Sequence, residues 1–273
     1  MAVLGTRKLT PEQEDAICER YARGERTGVL AASLSASAWT IRETLARRGV
    51  ARIACGGTWR RHGVPFREDY FSKIDTHDKA YWLGFLHADG HVSTQNQVRL
   101  SLGTVADAPH VGCFLRAIGL SRRPLSYEYP HLRRNWFIGV VGSARMSADL
   151  NALGVVTNAR VWPILDPVYE GSFCLGLFDG DGSWMRDARC RITASFVAAP
   201  AYAADFADAV ERGTGLRATP KPYHPKVSYV RYANQDAVGT LASWLYAHCE
   251  TFLPRKRQRV ERWIGTGAHQ CPV

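Results

Sequence analysis

The sequence predicts an α+β protein built from two pseudo-symmetric αββαββα repeats, preceded by a small all-α helix-turn-helix unit. Three observations carry this. First, Trp82-Leu83-Gly84-Phe85-Leu86-His87-Ala88-Asp89-Gly90 returns 92 residues later as Cys174-Leu175-Gly176-Leu177-Phe178-Asp179-Gly180-Asp181-Gly182. Each copy is an apolar helical run closed by an acidic residue and a glycine, and a chain that builds such a helix twice is expected to bring the two carboxylates together. Second, with the same offset residues 97–102 fall on 189–194 without a gap, and both stretches alternate polar and apolar with period two. The alternation puts Gln97, Arg99 and Ser101 on one face of a strand and Val98, Leu100 and Leu102 on the other. In the second copy Arg189, Arg191, Thr193 and Ser195 face outward, and Cys190, Ile192, Ala194 and Phe196 inward. Third, three short helical patterns separated by turns precede both repeats.

Taken in order, Thr10-Pro11-Glu12-Gln13 opens the first helix with a hydroxyl cap, a proline at the first helical position and a glutamine three residues after the cap. That helix is expected to run to about Arg23, with a second around 27–34 and a third from about Ala38 to Arg48 before Gly49. Residues 1–51 form this unit and 52–74 a basic linker, in which Gly56-Gly57, Gly63 and Pro65 interrupt regular structure and Arg52, Arg60, Arg61 and Arg67 keep the charge positive. The first repeat, 75–158, reads helix through Ala88, two strands, helix 106–119, strands 124–129 and 135–141, and helix 144–153. The second, 159–265, reads helix to Gly180, strands to Val197, helix 200–214, strands 218–223 and 227–232, and helix 235–249; residues 266–273 are a tail.

The 273 residues suffice to bury a sizeable core, and the formal charge of +10 points to a polyanionic partner. Basic pairs and runs recur at Arg60-Arg61, Arg122-Arg123, Arg133-Arg134 and Arg255-Lys256-Arg257. Seven cysteines, at 18, 55, 113, 174, 190, 249 and 271, are odd in number and form no C-x-x-C pair, which argues against a disulfide framework or a zinc ribbon. No stretch approaches about 18 uninterrupted apolar residues and no secretory h-region opens the chain. The expectation is therefore a cytoplasmic protein, located with its polyanionic partner, as in a nucleoid or a phage-infected cell, with no membrane partner.

Both motif copies resemble the LAGLIDADG family, and the element order matches that family's fold along about 180 residues. The resemblance implies two motif helices packed side by side, Gly84 and Gly176 allowing their close crossing, and a DNA-binding saddle of two sheets. It also implies that Asp89 and Asp181 share divalent metal, expected to be Mg²⁺, at a DNA-cleaving centre. The sixth motif position is usually acidic in the family; Asp179 keeps this and His87 departs from it, so His87 is read as a structural or DNA-proximal variant. Family members carry basic residues near the scissile phosphates, for which Lys226, Arg231 and Lys256 are the candidates here. The three N-terminal helices resemble a resolvase-like helix-turn-helix, whose third helix would present Ser37, Trp39, Thr40, Arg42 and Glu43 to a major groove.

The function implied is a site-specific homing endonuclease that acts as a monomeric pseudo-dimer on double-stranded DNA and makes a double-strand cut by metal-dependent phosphodiester hydrolysis. Strand-face contacts are expected from Gln97, Arg99, Ser101, Arg189, Arg191 and Thr193. The alternative is a LAGLIDADG-fold DNA-binding regulator or RNA maturase without cleavage; retention of two mutually repelling carboxylates argues against it. The ends, Met1-Ala2 and Gln270-Cys271-Pro272-Val273, lack the nucleophile and the His-Asn pair of a complete intein.

Overall fold

The computed structural model describes residues 9–22, 25, 27–50, 66–120, 125–129, 134–156, 160–186 and 191–265. The linker from 52 to 65, Arg122, Arg123, Arg133, Arg189, Cys190 and the tail 266–273 lie outside the described residues. The chain divides into two compact units, Met1–His62 and Gly63–Val273.

In the first unit, α1 (Pro11–Ala22), α2 (Thr27–Ser33) and α3 (Ala38–Arg47) close on a core of Ile17, Tyr21, Leu30, Ala31, Ile41 and Leu45. The capping box forms: the Thr10 amide donates to Gln13 Oε1 at 3.0 Å, and the Gln13 amide to Thr10 Oγ1 at 3.3 Å. Gly49 follows α3 at φ +66°, a conformation glycine adopts without a Cβ penalty. Arg47 and Arg48 are both tied to Glu14 of α1, which fixes the third helix on the first.

The second unit contains both repeats. The first runs α4 (His77–Asp89), β1 (Gly90–Val92), β2 (Gln97–Leu102), α5 (Ala108–Ala117), β3 (Leu125–Tyr129), β4 (Arg134–Gly142) and α6 (Ala144–Ala152). The second runs α7 (Pro167–Asp181), β5 (Gly182–Arg186), β6 (Ile192–Ala198), α8 (Pro200–Thr214), β7 (Lys221–His224), β8 (Val227–Tyr232) and α9 (Gln235–Leu245). A further helix, α10 (Pro254–Gly265), follows where the sequence reading had no helix. Each repeat holds a four-stranded antiparallel sheet, ordered β1-β2-β4-β3 and β5-β6-β8-β7. In β2 the residues at 98, 100 and 102 are buried while Arg99 between them is exposed, so one face of the sheet meets the core.

Two expectations need correction. Gly90 of β1 pairs with Leu100, whereas Gly182 of β5 pairs with Phe196, so the second hairpin is four residues longer and residues 97–102 correspond to 193–198 rather than to 189–194. A shift by an even number of residues leaves a period-two pattern in phase, so alternation alone cannot distinguish the two registers. The position of Arg99 is thus held by Ser195, which is buried instead of facing out to solvent. Second, the end of the proposed linker is part of the core: Tyr70 and Phe71 are buried with the first repeat, and the Arg67 amide donates to the Ile118 carbonyl at 2.8 Å.

Candidate active site at the tips of the paired helices

Helices α4 and α7 are apolar on every side over 80–86 and 173–178, as befits helices packed on all faces. Thr76 caps α4 by accepting from the Lys79 amide, and Asp166 caps α7 by accepting from the Val168 amide, with Pro167 at the first helical position. Their crossing is made by glycine. A Cβ on Gly84 would stand 2.0 Å from the Phe173 carbonyl oxygen, and one on Gly176 would stand 2.0 Å from the Tyr81 carbonyl oxygen. The reciprocal pair, 81 with 176 and 84 with 173, is the local two-fold symmetry read directly from backbone contact. Further along, a Cβ on Gly180 would lie 2.2 Å from the Ala88 Cβ and 3.2 Å from Asp89 Oδ2, which places the Asp89 carboxyl against the end of α7.

The two motif aspartates are therefore neighbours. Burial raises the Asp89 pKa to about 6, with the charge of Asp181 as the next cause and Lys256 opposing. Asp181 keeps exposed surface, yet its carboxyl is crowded closely enough for desolvation to raise its pKa too, against Lys256 and Arg160. Among the described residues no group of three or more His, Cys, Asp or Glu could hold a metal ion. Two adjacent hard-oxygen donors do fit Mg²⁺, which takes one or two protein carboxylates and completes its shell with water and phosphate oxygens.

Each helix tip is held by a cation, buried Lys256 at one and half-buried Arg160 at the other. The Lys256 ammonium donates to the carbonyl oxygens of Phe178 at 2.8 Å and Gly180 at 3.1 Å, and also to Gly182. Arg160 donates to the Gly90 carbonyl, the counterpart of Gly182, at 2.5 Å. Both cations lie where the last carbonyls of a helix accumulate negative potential. Burial lowers the Lys256 pKa to about 8 and also lowers that of Arg160. Of the three basic candidates, Lys256 thus reaches the aspartates, with its ammonium bound to backbone. Lys226 lies in the exposed β7–β8 turn and Arg231 on β8, two strands from β5 and stacked on Tyr229 at 5.5 Å; neither acts on Asp89 or Asp181. Arg160 was missed because it lies in a connecting segment with no helical or strand pattern to mark it.

The sixth motif positions are structural, and they cross the interface between repeats. His87 is buried; its Nε2 lies 3.0 Å from the Leu153 carbonyl and its Nδ1 2.7 Å from the Tyr202 hydroxyl of α8. A carbonyl can only accept, so Nε2 carries the proton and Tyr202 donates to Nδ1. Desolvation lowers the His87 pKa to about 3, which keeps the ring neutral. At the equivalent place Asp179 accepts at Oδ2 from the Tyr81 hydroxyl at 2.9 Å and the Leu253 amide at 2.6 Å, and burial raises its pKa to about 6. Tyr81 in turn lies 2.7 Å from His110 Nε2, the counterpart of Tyr202 at the same offset. Having given its proton to Asp179, the Tyr81 oxygen accepts from His110.

The strand faces carry the expected polar groups, with Arg99 and Arg191 exposed and Gln97, Ser101 and Thr193 partly so, although Arg191 immediately precedes β6 instead of lying within it. In the first unit, Trp39 is 60% exposed and Arg42 and Glu43 are exposed, whereas Ser37 and Thr40 bond each other at 2.8 Å in the cap of α3. Cys18, Cys113, Cys174 and Cys249 are free thiols, and no helix among the described residues is long and apolar enough to cross a membrane.

Comparison with protein-family models and with curated protein sequences finds no match. Solved structures similar to this chain exist. One is full-length DUF199/WhiA from Thermatoga maritima, at 13% identity and TM-score 0.48 over 76% of this chain and 67% of that one. Another is the homing endonuclease I-WcaI bound to its DNA recognition sequence, at 12% identity and TM-score 0.49 over 70% of this chain and 91% of that one. A third is I-DmoI in complex with DNA and Ca, at 13% identity and TM-score 0.45 over 72% and 99%.

Proposed function

We propose that this protein is a metal-dependent, site-specific DNA endonuclease of the homing type, cutting both strands of a long duplex site. The observation that carries the reading is the pair of carboxylates, Asp89 and Asp181, which the glycine-mediated crossing of α4 and α7 places side by side at the end of each motif helix. A fold without use for them would gain by replacing two carboxylates that burial and mutual repulsion both disfavour. Asp89 and Asp181 would hold Mg²⁺, which supplies an activated water and charge relief at the scissile phosphate. Lys256 and Arg160 fix the two helix tips, so the aspartates keep their relative position as phosphate approaches. The +10 net charge and the exposed Arg99 and Arg191 favour a phosphate backbone as partner. The N-terminal unit would add a separate contact through Trp39 and Arg42.

The test is incubation of purified protein and Mg²⁺ with a library of random duplex sites, followed by sequencing of the cut ends. Wild-type protein is expected to cut a defined site; Asp89→Asn and Asp181→Asn are each expected to abolish double-strand cleavage and to leave binding of that site in Ca²⁺ largely intact. Efficient cutting by the doubly substituted chain would overturn the assignment.

A further inference from the structure

We propose that α10 is a phosphate-backbone rail for which the first repeat has no counterpart among the described residues, an inference resting on the DNA-binding reading above. The helix carries five cations, Arg255, Lys256, Arg257, Arg259 and Arg262, against one carboxylate, Glu261. Its side chains sort by helical spacing into three sets. Lys256 and Val260 turn inward and are buried, and Lys256 reaches the tip of α7. Arg257 and Glu261 pair with each other at 2.6 Å, while the Arg257 guanidinium also lies 4.3 Å over the Phe252 ring. Arg255, Arg259 and Arg262 are exposed and spaced four and three residues apart, so they share one face.

That face is anchored at both ends of its contact with the fold. Arg255 donates through Nε to both oxygens of Asp107 at 2.8 and 3.0 Å, in the turn that precedes α5 of the first repeat. Arg259 reaches the Trp184 carbonyl of β5, the edge strand of the second sheet, at 3.4 Å. The helix thus begins beside the aspartates and lies against an edge strand, with arginines spread over about 10 Å at 1.5 Å per residue. Duplex DNA presents one phosphate per ~3.4 Å of axis on each strand, so a span of this length meets about three phosphates. The first repeat ends differently: after α6 its chain passes through Arg160 directly toward α7, and among the described residues it has no helix matching α10. The charge added by α10 is therefore one-sided.

The experiment measures binding of the full-length chain to a fluorescently labelled 40-base-pair mixed-sequence duplex over a range of salt. Arg259→Gln with Arg262→Gln is expected to lower the slope of log affinity against log salt by ~1.8, at ~0.9 per phosphate contact. Arg259→Lys with Arg262→Lys is expected to keep the wild-type slope, since charge and not guanidinium shape is needed. Arg217→Gln, three residues past the end of α8 and paired with Glu211 of that helix at 2.7 Å, is expected to leave it unchanged. A steep wild-type slope that the double glutamine variant retains would overturn the rail and spare the DNA-binding reading. A wild-type chain that does not bind the duplex at all would overturn both.

Discussion

At Asp89 a carboxyl that must ionise to hold a cation occupies a place where ionisation is disfavoured. Its folded pKa of about 6 exceeds the value near 4 of an unfolded chain, so the proton is bound more tightly in the folded state. The stability this lends is complete below about pH 4 and is lost as pH rises through about 6. Asp89→Asn is accordingly expected to raise stability at pH 7 by on the order of 1–3 kcal/mol, with the gain vanishing near pH 4. Urea unfolding at the two pH values measures it, and an equal gain at both would show that ionisation carries no cost. His87 has the opposite sign. Its pKa of about 3 lies below the ordinary ~6.5, so stability present above that value falls as the unfolded chain takes up the proton first. His87→Gln, able to donate to Leu153 and accept from Tyr202, is expected to flatten the dependence of melting temperature on pH between about 6.5 and 4.

The motif helices depend on having nothing between them. Gly84→Ala would drive a methyl into the Phe173 carbonyl, which belongs to backbone and cannot rotate away. The expected loss is at or beyond the upper end of the ~1–3 kcal/mol typical of overpacking, read by thermal unfolding; Gly239→Ala, with open space at its Cβ, is the control. The glycines and aspartates were legible in the sequence because a helix of this kind writes its packing into a fixed local spacing. The register of β6 was not, because the period-two pattern survives a four-residue slip. Helix α10 escaped because its first two turns carry a sparse inward set: from 255 to 262 Val260 is the one apolar residue, and Lys256 occupies an inward place that pattern reading assigns to solvent. Of the cations at the helix tips, Arg160 comes from a connecting segment and Lys256 from α10, and only tertiary structure reveals their partners.

For the molecule as a whole, the boundary between its two units can be tested by cutting on either side of Phe66. A chain starting at residue 63 keeps Tyr70, Phe71 and the Arg67–Ile118 bond, and is expected to unfold cooperatively with nearly unchanged midpoint. A chain starting at residue 75 loses two buried aromatics and is expected to be destabilised by at least about 3 kcal/mol. The shorter cut should also shrink the footprint on a bound DNA site at one end; an unchanged footprint would show that the three-helix unit makes no DNA contact. The crossed bonds of His87 and Asp179 bear on the ancestry of such a chain. A duplicated segment starts out able to pair with its own copy, and here that freedom is gone. Two copies of the second repeat would set Asp179 against the ring of Phe173 where Tyr81 now donates, and two copies of the first would set His87 against an imidazole where Tyr202 now stands. Each half supplies the partner that the other's buried sixth-position side chain needs, so the two copies are no longer interchangeable.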